Sequence, residues 1–231
     1  MIHLQWLDQD PDAPFPHLDD ALLQPDGLLA AGGDLSVPRL LNAYRHGIFP
    51  WYNEGEPILW WSPDPRCILF PEKVKISRSL KKTLNKKIFE IKMDTAFADV
   101  MQACAGPRKD QPGTWITDDM FNAYEELHQL GYAHSIECWQ NNELVGGLYG
   151  IAIGQVFFGE SMFSKITDAS KVALVHLCQY LTQHNFKIID TQVHTSHLES
   201  MGAEMIPRDL FISILEEHVN QNNNPKKWTE E

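Results

Sequence analysis

Residues 144–163 read L-V-G-G-L-Y-G-I-A-I-G-Q-V-F-F-G-E-S-M-F. The apolar runs on either side of Gly154 and Gln155 predict strands over 143–152 and 155–159 joined as a hairpin, so the sheet is at least partly antiparallel. Glycines at 146, 147 and 150 weaken a strand through backbone entropy and lost side-chain packing. They mark a bulge or a close backbone approach. One residue after two aromatics the stretch delivers a carboxylate, Glu160. An acid there is either a satisfied structural group or the polar anchor of an apolar pocket.

Outward from this hairpin, helices and strands are mixed. The spacing predicts helices over 78–86, 95–104, 118–130, 169–183 and 208–219, capped by Asp94, Thr117 and Asp168 and stopped by Gly106 and Gly131. Further strands are predicted over 67–70, 88–93, 133–139 and 187–193. Upstream, G-L-L-A-A-G-G-D-L-S (27–36) leads into a helix capped by Ser36, with Pro38 in its first turn and Gly47 at its end. Prolines at 50, 57, 63 and 65 then forbid long regular elements. The expected organisation is a small N-terminal domain over 1–65 and a second domain over 66–231. The element order suits α+β rather than repeated βαβ units.

Composition narrows the class. With 43% hydrophobic residues among 231, the chain can bury a real core, and no apolar run approaches the roughly 18–20 residues of a membrane span. The N-terminus has neither a basic region nor an adequate apolar run, so no secretory signal is expected. Cys67, Cys104, Cys138 and Cys178 lie far apart, as expected of free thiols in a reducing cytoplasm. The net charge of −12 argues against indiscriminate binding to polyanions, yet residues 73–92 hold seven lysines, one arginine and only one acid. Such a basic segment on an acidic body can dock phosphates at one place; it can also be a solvated helix.

Three further features bear on chemistry. In K-I-I-D-T-Q-V (187–193), strand alternation puts Asp190 and Gln192 on one face and Ile189, Thr191 and Val193 on the other. A carboxylate and an amide on an otherwise apolar strand are costly to bury without partners, which can be backbone, each other or a polar substrate. In the 169–183 helix, Ala173, Leu177 and Leu181 form an apolar stripe that belongs to the core and can also wall a pocket. Trp51, Trp60, Trp61 and Trp115 sit in proline- or glycine-bounded loops. They can stack on nucleobases or plug the join between domains, the latter expected of Trp60 and Trp61. Other motifs fail. G-E-S-M-F has Phe163 where a nucleophile elbow needs glycine, and G-L-L-A-A-G-G-D is neither a P-loop nor a dinucleotide fingerprint. His194 and His197 lack a third ligand at metal-site spacing, so no metal is expected.

From about Phe15 to about Phe211, this set of motifs resembles the leucyl/phenylalanyl-tRNA–protein transferase family. The resemblance rests on G-L-L-A-x-G-G-D-L-S, R-L-L-x-A-Y-R-x-G-I-F-P-W, L-W-W-S-P-D-P-R, G-T-W-I-T, A-H-S-I-E, L-V-G-G-L-Y-G, F-x-G-E-S-M-F-S, A-S-K-x-A-L and I-D-x-Q in that order. It implies a small N-terminal domain followed by an acetyltransferase-like (GNAT-type) mixed-sheet domain. It also implies transfer of leucine or phenylalanine, and less well methionine, from aminoacyl-tRNA to an N-terminal arginine or lysine, marking proteins for N-end-rule degradation. No cofactor, no membrane partner and a monomeric state are expected.

Residue by residue, the resemblance implies an amino-acid pocket of Leu148, Phe157, Met162, Leu177, Leu181 and Ile189. Leu148 and Leu177 stand where the family pattern has methionine and phenylalanine. It implies that the terminal adenosine stacks between Trp51 and Trp115, and that Arg78, Lys81, Lys82 and Lys86 contact the tRNA acceptor stem. Catalysis is implied for Gln192 at the attacking amine, Asp190 orienting it, and Glu160 holding an amino group or the acceptor's basic side chain. The rival classes are an acyl-CoA-dependent N-acetyltransferase, for which no R/Q-x-x-G-x-G/A loop is present, and a non-catalytic RNA-binding module, which leaves Glu160, Asp190 and Gln192 unexplained.

Overall fold

The computed structural model describes residues 4–106, 116–221 and 225–230. The chain forms two sheets with α+β organisation. The smaller has four strands, β1 (Gln5–Leu7), β2 (Leu28–Gly32), β3 (Phe49–Pro50) and β4 (Leu59–Trp61), in the order β1-β2-β4-β3. Only β1 and β2 run parallel. Helix α1 (Val37–Arg45) connects β2 to β3 of this sheet. Trp60 is fully buried here, with its indole N–H on the Gly32 carbonyl at 2.9 Å.

The larger sheet comprises β5 (Arg66–Leu69), β6 (Glu90–Met93), β7 (Ala133–Gln140), β8 (Glu143–Ile153), β9 (Val156–Ser164), β10 (Ile188–Gln192) and β11 (Glu204–Ile206). Their order is β11-β5-β10-β9-β8-β7-β6, antiparallel except for the parallel pair β9 and β10. Strand alternation sorts the side chains into two cores. Tyr149, Ile151, Ile153, Phe158 and Ile188 face one side, with α3 (Phe97–Ala105), α4 (Asp118–Gln129), α7 (Arg208–His218) and residues of α1 and the small sheet. Leu148, Phe157 and Ile189 face the other, beneath α5 (Ala169–Gln183) and α2 (Arg78–Lys86). The first core runs without interruption from Leu7 to Val219, so the small sheet and the large one share it.

Two glycines of β8 are dictated by close approach. A Cβ on Gly146 would lie 2.4 Å from the Ala169 methyl, which lets the start of α5 rest on the strand. A Cβ on Gly150 would lie 2.2 Å from the Phe158 carbonyl oxygen. At this point the β8–β9 register passes from Tyr149↔Ser161 to Gly150↔Gly159, leaving Glu160 as the extra residue of a bulge. Strand β9 therefore continues to Ser164 rather than ending at 159, and Glu160 sits within it, re-aimed by the bulge.

Three expected caps act differently. Ser36 precedes α1 but its side chain makes no capping bond. Asp94 adopts φ +54° and turns its carboxylate to His134, while the amides leading into α3 are held by Glu137, at 2.8 Å from both Thr95 N and Ala96 N. Asp168, at φ +69°, makes no capping bond and instead accepts from Thr83 Oγ1 at 2.9 Å, tying α2 to the start of α5. Thr117 does cap α4, accepting from Met120 N at 3.3 Å. The bulge yields a direct expectation: Gly150→Ala should destabilise the chain by about 1–3 kcal/mol, the cost of overpacking a tight core. A urea midpoint equal to wild type would show that the strands tolerate a side chain there.

Candidate active site

Between β9, β10 and α5 opens a cavity of about 500 Å³. Its apolar walls are Leu148, Phe157, Met162, Leu174, Leu177 and Ile189, and its rim includes Phe49, Pro50 and Trp51 of the N-terminal segment. Glu160, Thr191, Gln192 and His197 supply polar groups. The sheet face that pairs Leu148 with Met162 and Phe157 with Ile189 is the face covered by α5, so period-two alternation alone delivers the apolar wall.

Glu160 is the centre of the polar end. Its Oε1 accepts from the Tyr44 hydroxyl and from Gln192 Nε2, both at 2.8 Å, and its Oε2 accepts from the Tyr124 hydroxyl at 3.1 Å. The two tyrosine hydroxyls also bond each other. Burial raises the Glu160 pKa to about 7, overcoming the opposing effect of these three hydrogen bonds; the nearby Asp190 charge pushes the same way as burial. Burial and the Glu160 charge push both tyrosine pKa values well above 10.

Asp190 lies behind the cavity rather than in its lining. It makes a two-pronged ion pair with Arg66, Nε to Oδ1 at 2.8 Å and Nη2 to Oδ2 at 2.7 Å, and both side chains are fully buried. The Arg66 guanidinium lies 4.8 Å from each of the Phe49 and Phe211 ring centres. Asp190 Oδ1 also accepts from the backbone N–H of Gln192 at 2.9 Å. Strand pairing is irregular here, and Gln192 takes φ +62°. The expected sharing of one face by Asp190 and Gln192 is thus replaced by a local turn. It sends the carboxylate to Arg66 and the amide to Glu160.

The other expected site residues fall in several places. Leu148, Phe157, Met162, Leu177 and Ile189 line the cavity with Trp51, which is 46% exposed and whose ring centre stands 5.6 Å from that of Trp61. Leu181 does not line it but packs in the same core cluster. Trp115 lies outside the described residues. Arg78, Lys81, Lys82 and Lys86 are all exposed on α2, which anchors itself through the buried Leu80 and through Ser77, the acceptor for Leu80 N at 3.2 Å. Trp61 packs against the core shared by the two sheets, and its indole N–H donates to the Trp51 carbonyl at 2.7 Å, which steadies the rim. Sequence reasoning misses Tyr44, Tyr124 and Arg66. Tyr44 and Tyr124 read as core positions of amphipathic helices, and Arg66 as a residue after a loop proline.

A family model described as leucyl/phenylalanyl-tRNA protein transferase matches residues 68–216, and the model of its N-terminal domain matches residues 33–64. The leucyl/phenylalanyl-tRNA–protein transferase of Nitrosomonas europaea is 59% identical over 217 residues, covering 94% of this chain and 92% of its own. The chain belongs to the leucyl/phenylalanyl-tRNA–protein transferase family. As a leucyl/phenylalanyl-tRNA–protein transferase family member it is an enzyme, a transferase. The family member of Hydrogenovibrio crunogenus is 56% identical over 225 residues, 97% of this chain and 88% of that one. Solved structures resemble it loosely. L-PGS from Bacillus licheniformis has 9% identity and a TM-score of 0.43, covering 76% of this chain and 67% of that one. A GCN5-related N-acetyltransferase from Kribbella flavida has 11% identity and a TM-score of 0.35, covering 71% and 58%. Likenesses at that level decide nothing about the site.

The raised Glu160 pKa has a definite sign. The folded chain holds this proton up to about pH 7, the unfolded chain only to about 4.5, so the folded state binds more protons between those values. Stability from this group is full below about 4.5 and is lost as pH rises toward 7. The wild-type-minus-Glu160→Gln difference in unfolding free energy should therefore fall by on the order of 2–3 kcal/mol across that window, measured by denaturant titration at several pH values. A flat difference would mean that Glu160 ionises as an ordinary carboxylate.

Proposed function

We propose that this enzyme transfers leucine or phenylalanine, and less readily methionine, from aminoacyl-tRNA to the N-terminal arginine or lysine of acceptor proteins in the cytoplasm, marking them for N-end-rule degradation. The observation that supports this most is the cavity itself, an apolar socket that ends in a Glu160–Gln192 pair. A socket walled by leucine, isoleucine, phenylalanine and methionine accepts several apolar side chains, because one methylene changes selectivity by only about 1–3 kcal/mol.

The ester between amino acid and tRNA is already activated, so the chemistry is aminolysis. The acceptor's α-amine attacks the ester carbonyl, a C–N bond forms, the C–O bond to the ribose breaks, and the departing oxygen takes a proton. An α-amino group with a pKa near 7.7–8 is partly neutral at physiological pH. Positioning and removal of one proton are what the enzyme must supply.

The hydrogen bonds support the following roles. With its nitrogen on Glu160, the Gln192 amide offers its carbonyl oxygen to the incoming amine. Asp190 acts one step back, as a positioning residue that holds the Gln192 backbone. Glu160 receives an ammonium, that of the transferred amino acid or of the acceptor's side chain. Trp51, partly exposed at the rim, offers an aromatic face to the terminal adenine. The exposed basic face of α2, tied to α5 through Thr83 and Asp168, lies on the element that neighbours the pocket helix and suits the phosphates of an acceptor stem.

Labelled leucyl-tRNA mixed with an arginine-started peptide should pass label to the peptide, and ribonuclease treatment of the donor should abolish transfer. Gln192→Ala should lower turnover at least about tenfold, the scale of a positioned acid–base contact. A peptide left unlabelled by both leucyl- and phenylalanyl-tRNA would remove this function. Separately, Lys81→Ala with Lys82→Ala should weaken tRNA binding and flatten its dependence on salt by roughly one unit of slope for each phosphate no longer neutralised. An unchanged slope would leave α2 as a solvated helix.

A further inference from the structure

The C-terminal residues 225–230 follow a stretch rich in asparagine and look in sequence like a polar tail. In the structure they form a strap across the face of the large sheet that carries the pocket. The strap passes so close to Gly131, at φ +81°, that a Cβ there would lie 2.6 Å from Lys226 N. Its Trp228 is buried, 7% exposed, within the same core cluster as Leu148, Leu177 and Ile189 of the pocket wall.

Trp228 is held on several sides. Its backbone N–H donates to Asp94 Oδ2 at 2.8 Å, the same carboxylate that bonds His134 Nδ1 at 2.8 Å and Ser135 N at 2.8 Å. The indole stacks on the His134 ring, with centres 3.9 Å apart and planes at 4°. It also meets Tyr180 of α5 at 4.5 Å, Phe186 at 6.5 Å and Phe157 at 5.9 Å. Among the described residues, Phe157 is the one ring that meets Trp228 and also lines the cavity. Trp228 itself does not reach the cavity. An interior packed this closely transmits a change of volume to the next side chain.

We propose that Trp228 is a positioning residue for substrate selectivity: by backing Phe157 it fixes the depth of the aminoacyl pocket and hence the size of the side chain transferred. This rests on reading the cavity as an aminoacyl pocket. Loss of the indole opens space into which Phe157 withdraws, deepening the socket on the side away from Glu160. Larger aromatic donors then gain over leucine, while the polar end that meets the amine is undisturbed.

The test uses the full chain, with leucyl-tRNA and phenylalanyl-tRNA as alternative donors to an arginine-started peptide. In Trp228→Ala the phenylalanyl-to-leucyl ratio of kcat/KM should rise about three- to tenfold, the low end of what a methylene-sized change achieves in an apolar pocket, with the shift carried by KM. Should that variant not fold, Trp228→Leu, which keeps an apolar filler, gives the same reading. In a Phe157→Leu background the Trp228 substitution should leave the ratio within about twofold of that background. An equal loss with both donors makes the strap merely structural and overturns the inference, as does a ratio change that persists without Phe157. Wild-type protein that transfers from neither donor overturns the aminoacyl reading and this inference with it; wild-type transfer with an unmoved ratio overturns this inference alone.

Discussion

The ion pair between Arg66 and Asp190 is the constraint on which the site depends. It joins four pieces of chain: Arg66 at the start of β5, Asp190 on β10, and the rings of Phe49 on β3 and Phe211 on α7 that enclose the guanidinium. Both charges are removed from water, so the pair is held by its two-pronged geometry and by the ring faces rather than by net Coulomb gain. Loss of either partner alone would strand a buried charge, at about 3–5 kcal/mol. The same Asp190 oxygen that meets Arg66 Nε holds the Gln192 amide N–H, and this bond supports a backbone conformation that glutamine otherwise avoids. The turn then delivers the Gln192 side chain to Glu160. Sheet, ring pair, ion pair and polar end form one mechanical series.

The bulge at Glu160 completes it from the other strand. Regular alternation would give each β9 residue to one face or the other, and the two faces serve different cores. A carboxylate needed between them cannot come from an undisturbed strand. The extra residue opposite Gly150 resolves this: Glu160 meets Tyr44 and Tyr124, which belong to the core of α1 and α4, while Phe157 and Met162 of the same strand line the cavity under α5. The N-terminal segment is thereby part of the site, through Tyr44 and Trp51, and not an appendage to it.

Much of this was readable from the chain. The apolar runs on either side of Gly154 and Gln155 foretold the hairpin, though not the full length of β9, and the glycines at 146 and 150 announced close approach and a bulge. The isoleucine, aspartate and glutamine of β10 announced buried polar groups in need of partners. What could not be read has a common physical origin. Asp94 and Asp168 carry the residue type of a helix cap, yet their carboxylates are claimed by His134 and Thr83, far away in sequence. Strict period-two reasoning fails at Gln192, because a local bond to Asp190 and a tertiary one to Glu160 override the strand. Tyr44, Tyr124 and Arg66 look like ordinary core or loop residues until the fold brings them to a carboxylate. Trp228 offered no periodicity at all; only its bond to Asp94 and its stacking on His134 in the folded chain show where it goes.

The electrostatics of the cluster also explain why an amine suits it. Two carboxylates, Asp190 and Glu160, stand close enough for one to disfavour ionisation of the other, but they are not equivalent. Asp190 has a full cationic partner in Arg66. Glu160 is met by neutral donors, two tyrosine hydroxyls and an amide, and these do not offset the loss of water around it. Its charge is therefore poised near neutrality, and whatever lowers the cost of that charge will draw the proton off. A cation does so most effectively, so under the proposed function an arriving ammonium would supply the countercharge that the fold withholds from Glu160 while granting it to Asp190. In that reading, binding and proton loss are one linked event at a single carboxyl, placed by a bulge at the polar end of an apolar socket.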